Sequence, residues 1–182
     1  MRNLWQMWEG VLSTETVEDI VKRGQEQVIK DAEIFSNNNA DNSVRSSKIS
    51  WLTGEQDILN LLFDYVDQAN QNAFAVDVWR NAEIQYTEYR AEENGHYDWH
   101  HDVHWNTNKN SSRKISITVQ LSDPPEYAGG EFEFHCVENP GPESRTKGTV
   151  LAFPSYLEHR VKPVTSGTRK SLVAWFEGPH WR

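Results

Sequence analysis

The chain has 182 residues, with 18 Lys and Arg against 27 Asp and Glu, and a formal net charge of -9 at pH 7. This balance argues against nucleic-acid binding, because phosphate contacts require clustered Lys and Arg. Cys136 is the only cysteine, so an intramolecular disulfide is excluded and a reducing compartment is indicated. The first residues lack the apolar core of a secretory signal, and no apolar run approaches the roughly 18 residues of a membrane span. We therefore expect a cytoplasmic protein without membrane or nucleic-acid partners.

The N-terminal elements begin with an apolar segment, residues 4–8, which we expect to form an edge strand. Ser13 then supplies a hydroxyl cap and Glu15 an acid in the first turn, which indicates the start of a helix. Apolar residues continue on one helical face to about Glu33, and Val28 is the last of them. The predicted helix therefore runs from about residue 13 to residue 33.

A loop and a second helix follow. Residues 36–47 are rich in turn formers, which favours a loop, and the alternation of Ile49 and Trp51 predicts a short strand. Residues 54–72 carry apolar side chains at the three-and-four spacing of an amphipathic helix. The residues of this stripe are Ile58, Leu61, Leu62, Tyr65, Val66 and Ala69.

From about residue 77 the chain changes to short segments rich in β-branched and aromatic residues, separated by turn clusters. The predicted strands are 84–90, 97–104, 113–121, 131–136, 149–153, 159–164 and 170–177. Consecutive strands with no helix between them make an antiparallel sandwich or barrel. We expect one domain over residues 1–182, mainly β with N-terminal helices. Residues 1–76 would form a helical buttress on a jelly-roll-like β core of residues 77–182.

The most chemically distinctive stretch is residues 96–105, which holds four of the seven histidines and two carboxylates. Two histidines and one carboxylate on one face form the ligand set of non-haem Fe(II) oxygenases. The stretch contains two His-x-Asp pairs, His96 with Asp98 and His100 with Asp102. All four residues would share one face of an extended strand, so local periodicity leaves both pairs open as candidates.

A distant histidine and arginine complete the pattern. His159 follows a buried strand that turns at Pro154, and a turn at residues 164–168 leads into a partner strand that begins at Arg169. Across this turn Arg169 lies about three residues along from the level of His159, which is about 10 Å at the rise of a strand. An Arg side chain and a five-carbon diacid could bridge that gap together.

These residues resemble the Fe(II)/2-oxoglutarate-dependent dioxygenases, and most closely the prolyl 4-hydroxylase-like branch. The resemblance runs from about residue 84 to residue 176, roughly half the chain. The segments that carry it, in order, are Tyr89, Tyr97-Asp98-Trp99-His100-His101-Asp102, Arg113-Lys114-Ile115-Ser116-Ile117-Thr118-Val119-Gln120-Leu121-Ser122, Gly129-Gly130-Glu131, Phe153-Pro154-Ser155, His159-Arg160-Val161, Pro163-Val164, Gly167-Thr168-Arg169 and Trp175. Several spaced matches in the right order are far more specific than any one of them.

The resemblance implies a double-stranded β-helix fold and a set of site residues. Fe(II) would be held by His100, Asp102 and His159, which leaves the His96 pair as outer positions. 2-Oxoglutarate would chelate the ion, and Arg169 would pair with its far carboxylate, which a guanidinium fork matches well. Further contacts with the cosubstrate are expected from side chains on neighbouring strands: Tyr89, Thr118, Gln120 and Trp175.

The implied reaction consumes O2 and decarboxylates 2-oxoglutarate to succinate while a C–H bond of the substrate is hydroxylated, with ascorbate as an optional reductant. The branch acts mostly on proline in peptides, so we predict a proline-containing peptide as substrate, docked by Trp105 and Tyr127. A free amino acid or another peptidyl side chain is the enzymatic alternative, and a jelly-roll module with a structural metal is the non-enzymatic one. His100 and His104 also have the spacing of a zinc protease, but that motif requires a helix and a Glu after the first His, where this chain has His101.

Overall fold

The computed structural model describes residues 4–32, 43–105 and 108–181. Two antiparallel sheets face each other within these ranges. The larger sheet has the strand order β1-β10-β7-β12-β5-β4-β2, with β8 paired to β12, and the smaller sheet has the order β3-β6-β11-β9. The strands are β1 (Gln6–Trp8), β2 (Lys30–Asp31), β3 (Arg45–Ser46), β4 (Lys48–Trp51), β5 (Ala82–Arg90), β6 (His96–His100), β7 (Ser112–Gln120), β8 (Tyr127–Gly129), β9 (Phe132–Phe134), β10 (Val150–Pro154), β11 (His159–Val161) and β12 (Val164–Gly178). This arrangement confirms the predicted jelly-roll class.

Alternation along the central strands of the larger sheet separates its two faces. On β7, the side chains of Ile115, Ile117 and Val119 are fully buried in the main hydrophobic core, and Ser116 and Thr118 point to the opposite face. That opposite face looks towards the smaller sheet. These strands therefore contribute apolar side chains to the core on one face and polar side chains to the space between the sheets on the other.

Two helices cover the core face of the larger sheet. Helix α2 (Gln56–Ala69) is confirmed and buries Ile58, Leu62, Val66 and Ala69. It continues as a π-helical turn, Asn70–Phe74, which ends at Ala75 with φ of 52°. The predicted helix of residues 54–72 thus has the right position and the right buried stripe.

Helix α1 (Thr14–Glu26) begins where predicted, because Ser13 Oγ accepts a hydrogen bond from the Thr16 amide. The predicted end at Glu33 is wrong. Gln27 is already extended, with φ of -80° and ψ of 164°, and the chain then forms β2 against β4. Val28 is consequently 75% exposed, since no helical face carries it towards the core.

The N-terminal part of the chain contributes more than helices. The predicted edge strand at residues 4–8 is present as β1, at the edge of the larger sheet next to β10. Strands β2 and β4 extend the opposite edge, and β3 forms an edge of the smaller sheet. The loop predicted for residues 36–47 falls mostly outside the described residues, and its last part contains β3.

Two further expectations change: one concerns β6, and the other is the turn predicted for residues 164–168, which is wrong because β12 runs unbroken from Val164 to Gly178. The strand predicted for residues 97–104 ends at His100, and its pairing with β11 contains a bulge, because His159 faces His100 whereas Val161 faces Tyr97. Cys136 is exposed and carries a free thiol. Among the described residues, no helix combines the length and the apolar character needed to cross a bilayer.

Candidate metal and cosubstrate site

Three potential metal ligands meet between the two sheets. His100 at the end of β6 and His159 at the start of β11 are direct partners in the smaller sheet. Asp102 follows β6 by two residues, and its backbone amide donates to the Ser155 carbonyl at 2.8 Å. Asp102 Oδ1 lies 3.8 Å from His100 Nε2, and Asp102 Oδ2 lies 3.7 Å from His159 Nε2. The ligating atoms of all three residues lie within 4.8 Å of one another.

Backbone carbonyls orient both imidazoles for metal binding. His100 Nδ1 lies 2.7 Å from the Asp98 carbonyl oxygen, and His159 Nδ1 lies 2.9 Å from that of Leu157. A carbonyl oxygen can only accept, so each Nδ1 carries the hydrogen and each Nε2 presents its lone pair to the shared centre. Two neutral imidazoles and one carboxylate suit a divalent ion such as Fe(II), and three protein ligands leave coordination positions for other molecules.

The protonation states agree with this role. Burial, aided by the facing His159, lowers the pKa of His100 to about 3, so its ring is neutral at physiological pH. Burial by itself would raise the pKa of the Asp102 carboxyl, but His159, His100, Arg113 and the Ser116 hydroxyl outweigh it and hold that pKa below its usual range. The site therefore offers a carboxylate charge at Asp102 and a neutral imidazole at His100.

A buried arginine side chain lies in the same space between the sheets as the three potential ligands. The ligand set opens into a cavity, here called the inner cavity, between β5, β7, β12 and the smaller sheet. Arg169 on β12 faces Tyr89 on β5 in register, with its guanidinium carbon 5.7 Å from the centre of the phenol ring. Arg169 is only 5% exposed, and no carboxylate of the described residues forms an ion pair with it.

The structure brings most of the other predicted cosubstrate residues to this cavity. Tyr89, Thr118 and Trp175 line it. The indole Nε1 of Trp175 is buried and has no hydrogen-bond partner among the described residues. Gln120 is placed elsewhere: it shares the strand face of Thr118 but lies outside the lining, and its amide nitrogen donates to the Tyr127 hydroxyl at 2.9 Å and to the Ser122 carbonyl at 3.0 Å.

The outer histidines of the stretch point elsewhere. His96 Nδ1 lies 2.7 Å from the Asn94 carbonyl oxygen, and Asp98 is exposed and caps the Trp99 amide. Among the described residues, the set of His100, Asp102 and His159 is the one group with metal-binding geometry. The alternative pair is therefore not assembled. The zinc-protease arrangement is also absent here, since the first histidine ends a strand and no helix follows it.

Sequence reasoning missed three residues of the site. Regular strand alternation would place Tyr97 on the face opposite the ligands, yet its ring stacks on His100 with 3.4 Å between centres, because the bulge in β6 breaks the alternation. Arg45 and Gln85 also line the inner cavity. The sequence pattern could not have indicated Arg45, because its strand is only two residues long and lies within a predicted loop. Gln85 could have been found, because it is a polar residue on the same face of β5 as Tyr89.

The two aromatic residues expected to dock a peptide differ in exposure. Trp105 is 58% exposed and lies near His101, with 6.2 Å between ring centres. Tyr127 is 5% exposed, and the Arg145 guanidinium covers its ring at 4.5 Å. Tyr127 is therefore unsuited to contact a peptide, because its β8 strand packs against the start of β12.

Known proteins resemble this chain in fold and in part of the sequence. A solved structure of a viral collagen prolyl hydroxylase from Paramecium bursaria Chlorella virus-1, in its 2OG complex, superposes with a TM-score of 0.71 over 97% of both chains at 19% identity. A prolyl hydroxylase from Trichoplax adhaerens, in complex with a hypoxia inducible factor peptide fragment, has a TM-score of 0.69 at 18% identity over 96% of this chain and 83% of that one. At these identities the likeness shows the fold.

The sequence comparisons extend over the strands that carry the site. A PKHD-type hydroxylase from Synechococcus sp. (strain CC9902) is 34% identical over 88 residues, which is 48% of this chain and 39% of that relative. The match thus spans about two fifths of the relative's length. The family model described as the 2OG-Fe(II) oxygenase superfamily matches residues 84–177, just over half of the chain, and includes all three potential ligands and the buried arginine. On that match, the chain belongs to the 2OG-Fe(II) oxygenase superfamily.

Proposed function

We propose that this chain is an Fe(II)- and 2-oxoglutarate-dependent dioxygenase that hydroxylates a proline in a peptide. One observation carries the proposal: a buried guanidinium without an acidic partner among the described residues, Arg169, shares a cavity with a His-Asp-His ligand set. A structural metal site would need the three ligands but would have no use for the arginine. Burying an unpaired cation is costly, so an anionic ligand that completes the pair accounts for its retention.

The roles of the residues follow from their positions. His100, Asp102 and His159 would hold Fe(II), which supplies the activation of O2 when it is bound together with 2-oxoglutarate. Arg169 would pair with the far carboxylate of the cosubstrate through a two-pronged contact. Tyr89 and Thr118 line the path between the ligands and Arg169 and would orient the diacid by hydrogen bonds. Trp175 and its neighbours would exclude water from the reacting atoms.

The peptide substrate is supported by what the relatives are: hydroxylases of the PKHD type and a prolyl hydroxylase with a bound peptide fragment. Trp105 supplies an exposed aromatic surface beside the site that a proline-rich segment could contact. Hydroxylation of a free amino acid is the alternative that the same site could perform. The cytoplasmic location stays a prediction, as do the single domain and the use of ascorbate.

The test measures 2-oxoglutarate-dependent succinate formation with and without a pool of proline peptides, together with mass shifts of +16 in those peptides. His159→Ala should abolish turnover, whereas His96→Ala, a matched histidine outside the ligand set, should retain it. Arg169→Gln should raise the KM for 2-oxoglutarate by about 30-fold, because loss of one partner of a buried charge pair costs about 2 kcal/mol or more.

Two results would contradict the proposal. Full turnover by His159→Ala would remove the third ligand and with it the oxygenase centre. Equal consumption of 2-oxoglutarate with and without the peptides, and no +16 product, would leave the cosubstrate role intact but remove the peptide substrate.

A further inference from the structure

A second depression lies on the outer side of the ligand set, and it is called the outer groove here. His100, Asp102, Tyr97, Trp175 and Arg45 line both this groove and the inner cavity. The outer groove is the larger of the two and the more open to solvent. A substrate that reaches the ligand set from outside would therefore pass the five shared residues.

Arg45 stands at the boundary between the two spaces. It lies on β3 of the smaller sheet, directly paired with Tyr97, and its guanidinium reaches across to the larger sheet. There Nη2 donates to Gln85 Oε1 at 2.8 Å, and Nε donates to Ser47 Oγ at 2.9 Å. The guanidinium carbon also lies 4.5 Å from the centre of the Tyr97 ring. These contacts hold the cation in one position before any ligand binds.

The charge of Arg45 has no counterpart among the described residues. Both hydrogen-bond acceptors are neutral, and no described carboxylate forms an ion pair with it, although it is 5% exposed. The similarly buried Arg113, by contrast, pairs with Glu83. A guanidinium has five N–H bonds, and these two contacts use two of them. A buried cation beside a groove, with N–H groups that have no acceptor among the described residues, is suited to bind an anion.

The anion bound by Arg45 would differ from the one bound by Arg169. Arg45 contacts Gln85, and Arg169 faces Tyr89, four residues further along β5, which is about 13 Å at the rise of a strand. The two guanidinium groups thus lie beside separate positions of β5 along the inner cavity. Arg45 also lines the outer groove, whereas Arg169 does not.

We propose that Arg45 is a specificity-determining residue that binds a carboxylate of the substrate in the outer groove. The inference rests on the proposed function and narrows its substrate class to molecules with a carboxylate close to the hydroxylated carbon. That carboxylate is either the terminal carboxylate of a C-terminal proline or the side chain of an Asp or Glu beside the target proline. Two acidic residues line the outer groove among the described residues, and neither forms an ion pair with Arg45. Asp102 faces the imidazoles, and Glu158 pairs with His135 on the rim.

The test uses binding rather than turnover, so that it does not depend on hydroxylation. The protein, loaded with Fe(II) and saturating 2-oxoglutarate under nitrogen, is titrated calorimetrically with matched probes. One pair is a short peptide that ends in proline, as the free acid and as the amide. The other is an amidated peptide with an internal proline, flanked by Asp or by Asn. Saturation with 2-oxoglutarate keeps Arg169 occupied, so that the probes report on Arg45.

We expect at least one acid probe to bind about 10-fold or more tightly than its neutral match, as the loss of one charge partner usually costs at least that factor. The pair that shows the difference identifies the source of the carboxylate. Arg45→Gln should abolish the difference, Arg45→Lys should retain part of it, and Arg80→Gln, an exposed arginine outside both spaces, should leave it unchanged. The KM for 2-oxoglutarate should change by less than about 3-fold in Arg45→Gln, because that carboxylate pairs elsewhere.

The proposal is overturned if acid and neutral probes bind equally to the wild type, if neither binds, or if Arg45→Gln retains the preference while circular dichroism shows it folded. A preference for the acid probe without any +16 product on later exposure to O2 would support the role of Arg45 and contradict the proposed hydroxylation. The two failures are therefore distinguishable.

Discussion

The Ser116 hydroxyl on β7 donates a 2.7 Å hydrogen bond to Asp102 Oδ2 and lies 2.9 Å from Ser155 Oγ. All three residues are buried. Asp102 lies beyond the end of its strand, so its carboxylate depends on this contact and on its own backbone amide for its orientation. The larger sheet thus positions a ligand that belongs in sequence to the smaller one.

Replacement of Ser116 by alanine should weaken metal binding. Loss of a hydrogen bond to a ligating carboxylate typically reduces metal affinity by about 10-fold to 100-fold, and we expect a change in this range for Fe(II) in Ser116→Ala. Equilibrium dialysis under nitrogen measures it directly. Ser144→Ala, which removes an exposed hydroxyl from a turn far from the site, is the control and should bind the ion as the wild type does. Wild-type affinity in Ser116→Ala would show that the backbone alone orients Asp102.

Replacement of Gly130 by alanine should disturb Arg169. Gly130 has φ of +65°, and a Cβ there would lie 3.0 Å from Arg169 Cδ and 2.9 Å from Val164 Cγ2. The arginine would have to shift, so we expect a raised KM for 2-oxoglutarate. Gly54 also has a positive φ, +108°, but a Cβ there would have nothing within 4 Å.

Gly54→Ala is therefore the matched control for Gly130→Ala. Both variants should lose about 1 kcal/mol or more of unfolding free energy, because each forces an unfavourable backbone conformation. The change in KM should appear in Gly130→Ala alone. If both variants keep the wild-type KM, Arg169 tolerates the added methyl group without moving.

Replacement of Gly24 by alanine should destabilise the fold even though it improves the helix. Gly24 lies in the last turn of α1, and a Cβ there would lie 2.4 Å from Tyr86 Cγ, in a ring that is fully buried. Overpacking of this kind costs about 1–3 kcal/mol, against a gain of about 1 kcal/mol in helix propensity. Urea denaturation should therefore show a net loss of unfolding free energy in Gly24→Ala. Glu26→Ala, at an exposed position two residues later, should show none, and a stabilised Gly24→Ala would contradict the packing of α1 on the sheet.

Acidification should remove a contribution of Glu88 to stability. Glu88 is buried, and its carboxylate accepts hydrogen bonds from Arg90, Tyr86 and Gln25. Burial by itself would raise its pKa, but these three partners outweigh burial and hold the pKa below the ordinary value of 4.5. Since the folded pKa is depressed, ionised Glu88 stabilises the fold above the unfolded pKa, and the contribution is lost as the pH falls through the folded pKa.

Urea denaturation of the wild type and of Glu88→Gln measures this contribution. The wild type should be more stable than the variant by about 2 kcal/mol at pH 7, as hydrogen bonds to charged groups contribute about 1.5–3 kcal/mol. The difference should shrink between pH 5 and pH 3. Glu18→Gln, at an exposed position of α1, should show no such trend. A difference between wild type and Glu88→Gln that stays constant over this range would contradict the role of the charge.

Most of the fold could be predicted because its periodicities are strong. The stripe of Ile58, Leu62 and Val66 is buried as an amphipathic helix requires, and the alternation along β7 sets the core face of the larger sheet. The end of α1 could not be predicted, because Val28 continues the helical spacing while the chain is drawn into pairing with β4. Pairing between strands that are distant in sequence overrides the local helical spacing, and a short segment of sequence contains no sign of that pairing.

The candidate site was predictable where a spaced motif carries it and unpredictable where an irregularity shapes it. His159 and Arg169 line one cavity as the spaced motif predicts, but not through the predicted hairpin, because β11 lies in the smaller sheet and β12 in the larger one. The stacking of Tyr97 on His100 could not be predicted, because the bulge in β6 has no mark in the sequence. Arg45 reaches the site by crossing from one sheet to the other, and a side chain that spans a sandwich is visible only once both sheets are in place.

The pairing of His100 with His159 within the smaller sheet has a consequence for mechanical coupling. Both imidazoles belong to β6 and β11, whereas the carboxylate of Asp102 is fastened to β7 through Ser116. An ion bound by all three residues would therefore connect the smaller sheet to the larger one at the metal site, where no covalent bond joins the two sheets. Removal of the bound ion by a chelator should then increase the mobility of β6 and β11 before that of the rest of the protein. Amide hydrogen exchange should therefore become faster in those two strands first.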